Sequence, residues 1–264
     1  MNTGDVMKKY FEKRVEAIDS FLKKPAQVFT LEDFHKLRVE IKKLKALLKL
    51  IDFCEKDFKE EKTFKLFEGV FVQAGKVREF QLEEAALNKY ALPDSLSKYR
   101  NNLKKLRQKE RKIFFSLINK RFIRGLKKEH DKVKPFIARA DKSCVTVYLD
   151  TKSKKIERLF EKKKLKTQEV HKLRKHLKEF YYLRKCVDMK PQNELFKKTD
   201  TFQELLGQWH DCRVINNQFK SAIDGGMMKP AEVKLLEKVK TKLVSDTERL
   251  FTKINIAREE LTIM

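Results

Sequence analysis

Residues 34–50 read FHKLRVEIKKLKALLKL. Wound as an α-helix, with about 100° between successive residues, the stretch sorts into two unlike faces. His35, Arg38, Lys42, Lys45 and Lys49 share an arc of about 80° over a rise of roughly 20 Å. Leu37, Ile41, Leu44, Leu48 and Ile51 take the opposite side, as the core-facing stripe of an amphipathic helix does. The one acid of the stretch, Glu40, falls outside the basic arc. Solvated helices usually intersperse their charges. A row of cations free of acids is a candidate polyanion contact, set against the plainer alternative of a solvated lysine-rich face.

The rest of the chain is of the same kind. Its 264 residues include seven Gly and five Pro, and long periodic segments follow one another. Few turn signals and long amphipathic runs predict an all-α protein. Lys and Arg number 63 against 38 Asp and Glu, a formal charge of +25. Such an excess works against a compact chain unless a polyanion or counterions relieve it. Nucleic acid, an anionic membrane surface and polyphosphate-like chains are the candidates. No run of about 18 apolar residues occurs, and MNTGDVMKKYFEKR at the start has no apolar signal core. A soluble cytoplasmic protein with no membrane partner is the expectation. Cys54, Cys144, Cys186 and Cys212 have no close-set pairs and no zinc spacing. They read as small buried hydrophobes in a reducing compartment.

Periodicity and breakers place the helices. The first runs from residue 5 to about 23 and ends at Pro25. Thr30 or Asp33 opens the basic-stripe helix, which reaches about Cys54. A third, about 56–90, contains Gly69 and Gly75, which suggest close packing where they stand. Pro93-Asp94-Ser95 is a helix-start signature, and a fourth helix runs from it to about Phe122, with Gly125 near its end. Residues 126–150 are less regular: Pro135 and the β-branched segment CVTVY weaken the helical pattern. Further helices are predicted over about 152–164, 167–188, 193–223 and 231–260, the last two parted by Gly225, Gly226 and Pro230.

The two halves resemble each other. Phe34-His35-Lys36-Leu37-Arg38 matches Val170-His171-Lys172-Leu173-Arg174, and the register continues with Lys42 on Lys178, Leu47 on Leu183 and Lys49 on Lys185. At nearly the same offset, Ala74-Gly75-x-x-Arg78-Glu79 matches Leu206-Gly207-x-x-His210-Asp211. Two blocks in the same order predict an internal duplication, residues 1–126 and 127–264, each half a bundle of about four helices.

Two constellations could carry chemistry. The first is the stripe and its copy: His35, Arg38, Lys42, Lys45 and Lys49, then His171, Arg174, Lys175, Lys178 and Lys185. Tyr181 takes the place of Lys45, and Glu179 falls just outside the second arc. A histidine opposite the apolar stripe can donate to phosphate oxygens, and a nearby polyanion favours its protonated form. The second is Gly75-Lys76-Val77-Arg78-Glu79 with Gly207-Gln208-Trp209-His210-Asp211-Cys212-Arg213. There glycine admits a close neighbour and the acid can orient a cation, an ordinary helix contact being an equal alternative. Metal binding is not expected. His171 and His176 lie about 140° apart, and the His210-Asp211 pair has no second histidine set. No nucleophile–base pair or phosphate loop is visible, so no cofactor and no enzyme are expected. Most phenylalanines follow the apolar stripes and read as core rather than as a base-stacking platform.

These motifs resemble the CHAD family, the conserved histidine α-helical domain. The residues that carry the resemblance are His35-x-x-Arg38-x-x-x-Lys42-x-x-Lys45, His171-x-x-Arg174-x-x-x-Lys178, Gly75-x-x-Arg78-Glu79 and Leu205-Leu206-Gly207-x-x-His210-Asp211. The resemblance runs from about residue 5 to 260. It implies two helical bundles related by a pseudo-two-fold, with a central basic groove or pore. It also implies binding of inorganic polyphosphate and, in some members, association with polyphosphate granules. The catalytic CYTH domain often fused to this family has an E-x-E-x-K signature, which is absent here, so a stand-alone CHAD protein is expected. On this reading the two stripes, with Lys76, Arg78, His210 and Arg213, line one cationic channel for polyphosphate. A nucleic-acid backbone binder is the alternative, and a phosphate-polymer hydrolase is the third, disfavoured for want of a carboxylate–metal cluster.

Overall fold

The structure, a computed structural model, describes residues 3–187, 194–226 and 228–262; the side chains of 185, 194–198 and 262 are not among those described. The described residues form an all-α fold: α1 (Thr3–Lys23), α2 (Leu31–Cys54), α3 (Glu60–Tyr90), α4 (Ser97–Leu117), α5 (Lys120–Arg139), α6 (Lys142–Phe160), α7 (Thr167–Cys186), α8 (Glu194–Asp224) and α9 (Pro230–Thr262). A short 3-10 turn at Ala26–Val28 follows α1.

The stripe helix α2 begins where its sequence dictates. The Thr30 hydroxyl accepts from the Asp33 backbone N–H while the Asp33 carboxylate accepts from the Thr30 N–H, a reciprocal capping box. Both Thr30 and Asp33 therefore open the helix, and Lys24 adds an ion pair to Asp33 at 2.6 Å. Two orphan donors at the helix start are satisfied in this way. Leu37, Ile41, Leu44, Leu48 and Ile51 are all buried, as their spacing requires. Ala46, Leu47 and Leu50 are buried too, and they wind round toward the basic arc. The stripe is consequently sunk between neighbours rather than lying on a bare surface.

Packing divides the chain into two units that cut across the sequence halves. Unit 1 comprises Met1–Gly75, Glu110–Glu157 and Lys175–Pro191; unit 2 comprises Lys76–Lys109, Arg158–Arg174 and Gln192–Met264. Helices α3, α4, α6 and α7 each give residues to both units. In unit 1, α1 packs against α2 and α5. Its core holds an aromatic cluster in which the Phe34 ring lies 4.7 Å from Phe29 and 4.8 Å from Phe114. His130 is buried there, stacked on Phe67 and edge-on to Phe11. Unit 2 is built on the α8–α9 pair, with Leu87, Leu103, Ile215, Phe219, Leu236 and Leu243 in its core.

Several sequence expectations are corrected. Residues 126–150 are helical, in α5 and α6, apart from Ala140 and Asp141 between them. Pro135 lies in the later part of α5 and is exposed, and Val145, Tyr148 and Leu149 of α6 are buried. Burial of that face outweighs the weak helix propensity of β-branched residues. The fourth helix stops at Leu117, Asn119 caps α5 through the Phe122 N–H, and Gly125 lies inside α5 near Leu66. Cys54 and Cys144 are not free: they form a disulfide with a Cα–Cα distance of 5.7 Å, while Cys186 and Cys212 are unbonded. Ninety residues separate the pair in sequence, so spacing gave no sign of it. Among the described residues no helix is long and apolar enough to cross a membrane.

Candidate functional site

All five cations of the α2 stripe are half-buried. Arg38 is the most firmly held. Its Nη1 donates to the Phe71 carbonyl at 2.5 Å, and its guanidinium lies over the Phe71 ring at 4.2 Å. Gly75 makes the room. A Cβ there would stand 3.0 Å from the guanidinium carbon and closer still to Nη1. The glycine of the second constellation thus serves the arginine of the first, a close approach by a side chain rather than by a helix. Farther along the stripe, Lys42 stands 6.0 Å above the Phe71 ring. Lys45 lies 3.6 Å above the Phe64 ring and 3.5 Å from the Glu60 carboxylate. Phe64 and Phe71 had read as core; they are also the floor beneath three cations, held by the attraction of a charge for a ring face. Their spacing of two helical turns on α3 was the available sequence signal.

At the far end of the stripe, Lys49 reaches Glu179 of α7 at 3.4 Å. The same carboxylate accepts from Lys152 at 2.5 Å and from the Tyr148 hydroxyl at 2.8 Å, both on α6. Burial alone would push Glu179 up; the Lys152 hydrogen bond and the charges of Lys49 and Lys152 outweigh it and hold the carboxyl below its ordinary range. The basic arc is acid-free along its own helix, as expected, but acids reach it from α3 and α7. Sequence reading missed Lys152, Tyr148 and Glu60 as members of this neighbourhood, because only tertiary packing brings them in. Lys178, next to Glu179, is half-buried, and Lys175 is exposed. The Lys185 side chain lies outside the described residues. Both sequence halves thus contribute to one charged neighbourhood inside unit 1.

In unit 2 the head of the second motif, His171 and Arg174, is arranged differently. His171 of α7 and His210 of α8 stand with ring centroids 5.4 Å apart. As with Arg38 and Gly75, the stripe motif and the glycine motif of one half come together. Arg174 is half-buried. The space beside Gly207, unlike that beside Gly75, is open. Arg213 lies over the Trp209 ring at 5.0 Å, and Trp209 is itself buried against Phe251. Arg78 donates to Gln81 at 2.6 Å, and Lys76 is exposed. Asp211 lines a cavity with Lys89, Asp246, Arg249 and Lys253. Among the described residues no group of three or more His, Cys, Asp or Glu is placed to hold a metal ion.

Comparison with known proteins bears on the family and the fold. The family model for the CHAD domain matches residues 14–218. The fold is similar to the crystal structure of the CHAD domain from the plant Ricinus communis, with a TM-score of 0.79 at 12% identity, covering 100% of this chain and 93% of that one. It is also similar to PptA from Streptomyces chartreusis, with a TM-score of 0.66 at 14% identity, covering 100% of both chains. No curated protein matches the sequence. With its family model spanning most of the length, and with both histidine–arginine motifs on helices of the expected kind, the chain belongs to the CHAD domain family.

Proposed function

We propose that this protein binds inorganic polyphosphate through the basic faces of α2 and α7 and does not turn it over. The observation that carries this reading is the meeting of the first stripe with α7 at Lys49 and Glu179, beside Lys178. Within unit 1 a phosphate chain then meets cations supplied by both halves of the sequence, and within unit 2 His171 and Arg174 offer donors of the same types. Arg38 and Arg174 offer forked donors to phosphate oxygens, and Lys42, Lys45, Lys49 and Lys178 act as point charges. His35 and His171 donate at the heads of the rows, which favours binding near pH ~6 over pH ~8. Polyphosphate carries about one charge per unit and offers nothing to read but charge and oxygen. A row of cations about one helical turn apart suits such a polymer.

Nucleic-acid binding is the second reading, favoured by the net charge of +25. The aromatic rings at the site argue against it: Phe64 and Phe71 lie beneath ammonium and guanidinium groups instead of offering an open stacking surface. The test of the leading reading is a titration with long-chain polyphosphate of wild type, Arg38→Ala and Arg174→Ala. Each variant should lose about tenfold in affinity, the equivalent of one charge-assisted contact of ~1.4 kcal/mol. Unchanged binding by both would overturn it. Phosphate release on incubation with a divalent metal would point to a hydrolase instead.

A further inference from the structure

The basic neighbourhood does not stop at the stripes. Lys152 and Lys155 stand one turn apart on α6, so both project to the same side of that helix. Lys152 meets Glu179 at 2.5 Å, which fixes this side of α6 against α7. On α7, His176 precedes Glu179 by one turn and is half-buried. Lys49 arrives from α2 at the same carboxylate. The charged groups around His176 are therefore Lys152 and Lys155 from α6, Lys49 from α2 and Glu179 on its own helix. Three ammonium groups oppose one carboxylate, a local excess of two positive charges beside the imidazole. His176 occupies the register position of Glu40 in the first half, where the carboxylate is paired with Arg14 and Lys43. The second half thus replaces a fixed negative charge by a titratable group.

We propose that Lys49, Lys152, Lys155 and His176 form a phosphate subsite on the α6 flank of α7, where His176 takes up a proton as a polyphosphate chain binds. The proposal rests on the polyphosphate reading above and adds to it two α6 lysines and a proton. The physics is linkage. In the free protein burial and the surrounding lysines, Lys152 foremost, keep the imidazole below its ordinary range despite Glu179. Phosphate oxygens laid on the three lysines cancel their repulsion and accept a hydrogen bond from the second ring N–H. The bound state therefore holds the proton that the free state gives up. Binding draws that proton from solvent, and affinity rises as pH falls through the window below the ordinary histidine value of about 6.5.

Calorimetric titration of the full chain with long-chain polyphosphate at pH ~6.5, in two buffers of different ionisation enthalpy, counts the protons taken up per binding event. Wild type should take up measurably more protons than His176→Gln, and the difference should be largest between the imidazole's free and bound values and fall away below both. His35 and His171 contribute equally to both proteins and drop out of the comparison. A second variant, Lys155→Ala, alters an exposed side chain and leaves the fold intact. It should reduce the salt slope of log affinity by about 0.7 to 0.9, as one lost phosphate contact does. Equal proton uptake by wild type and His176→Gln, or an unchanged salt slope for Lys155→Ala, overturns the subsite. Absence of polyphosphate binding by wild type overturns instead the reading on which it rests.

Discussion

At the scale of single residues the account turns on Gly75 and Arg38. A helix-interior glycine ordinarily costs up to about 1 kcal/mol against alanine, so Gly75→Ala and Gly207→Ala would both be expected to stabilise. The structure separates them. A Cβ at position 75 collides with the Arg38 guanidinium, whereas the space at 207 is open. Gly207→Ala should therefore raise the melting temperature and leave polyphosphate affinity alone. Gly75→Ala should displace Arg38 from the Phe71 carbonyl, cancel the propensity gain and weaken binding about as much as Arg38→Ala. Thermal melts of both variants, paired with titrations, check this; equal behaviour of the two glycines would contradict it. The sequence showed that these glycines were unusual and that Arg38 belonged to a stripe. It did not show that one fits against the other, because nothing local couples α2 to α3.

At the scale of elements, helix positions were largely legible and helix partners were not. The α2 caps and apolar stripe stand as their residue pattern demands, since capping and periodicity are local. The misread segment, 126–150, is one where tertiary burial of Val145, Tyr148 and Leu149 overrides local propensity. Two inter-helix links there and in unit 2 give predictions. The Cys54–Cys144 bond ties the end of α2 to the start of α6 across 90 residues of chain. A closure of that length contributes about 4.6 kcal/mol by the loop-entropy estimate, so reductant should lower the melting temperature by many degrees. A melt indifferent to reductant would contradict the link. In unit 2, Glu83 of α3 is buried and accepts a hydrogen bond from the Tyr99 hydroxyl of α4. Burial pushes its carboxyl up to about 7. A raised native value means that stability is fully present below the ordinary glutamate range and is lost as pH rises toward and through 7. Glu83→Gln should remove that loss and make the protein more stable than wild type at pH ~8, by denaturant unfolding. A wild type whose stability is flat from pH ~5 to ~8 would contradict the assignment.

At the scale of the whole molecule, composition alone pointed to a polyanion: 63 basic residues against 38 acidic ones leave a net +25. On the polyphosphate reading, the choice among polyanions falls to the few residues around the stripes, which come from α3 and α6 as much as from α2 and α7. Most surface lysines contribute field and solubility, and their effect is screened beyond about 8 Å at physiological salt. The site itself should persist there, because its cations are half-buried and held by rings, carbonyls and carboxylates. The most direct measurement is a competition at about 0.15 M salt: labelled long-chain polyphosphate is bound to the protein and challenged with RNA at equal phosphate concentration. The account predicts that polyphosphate stays bound in wild type and that Arg38→Ala with Arg174→Ala releases it. Displacement of polyphosphate by RNA from wild type, with the double variant unchanged, would contradict it.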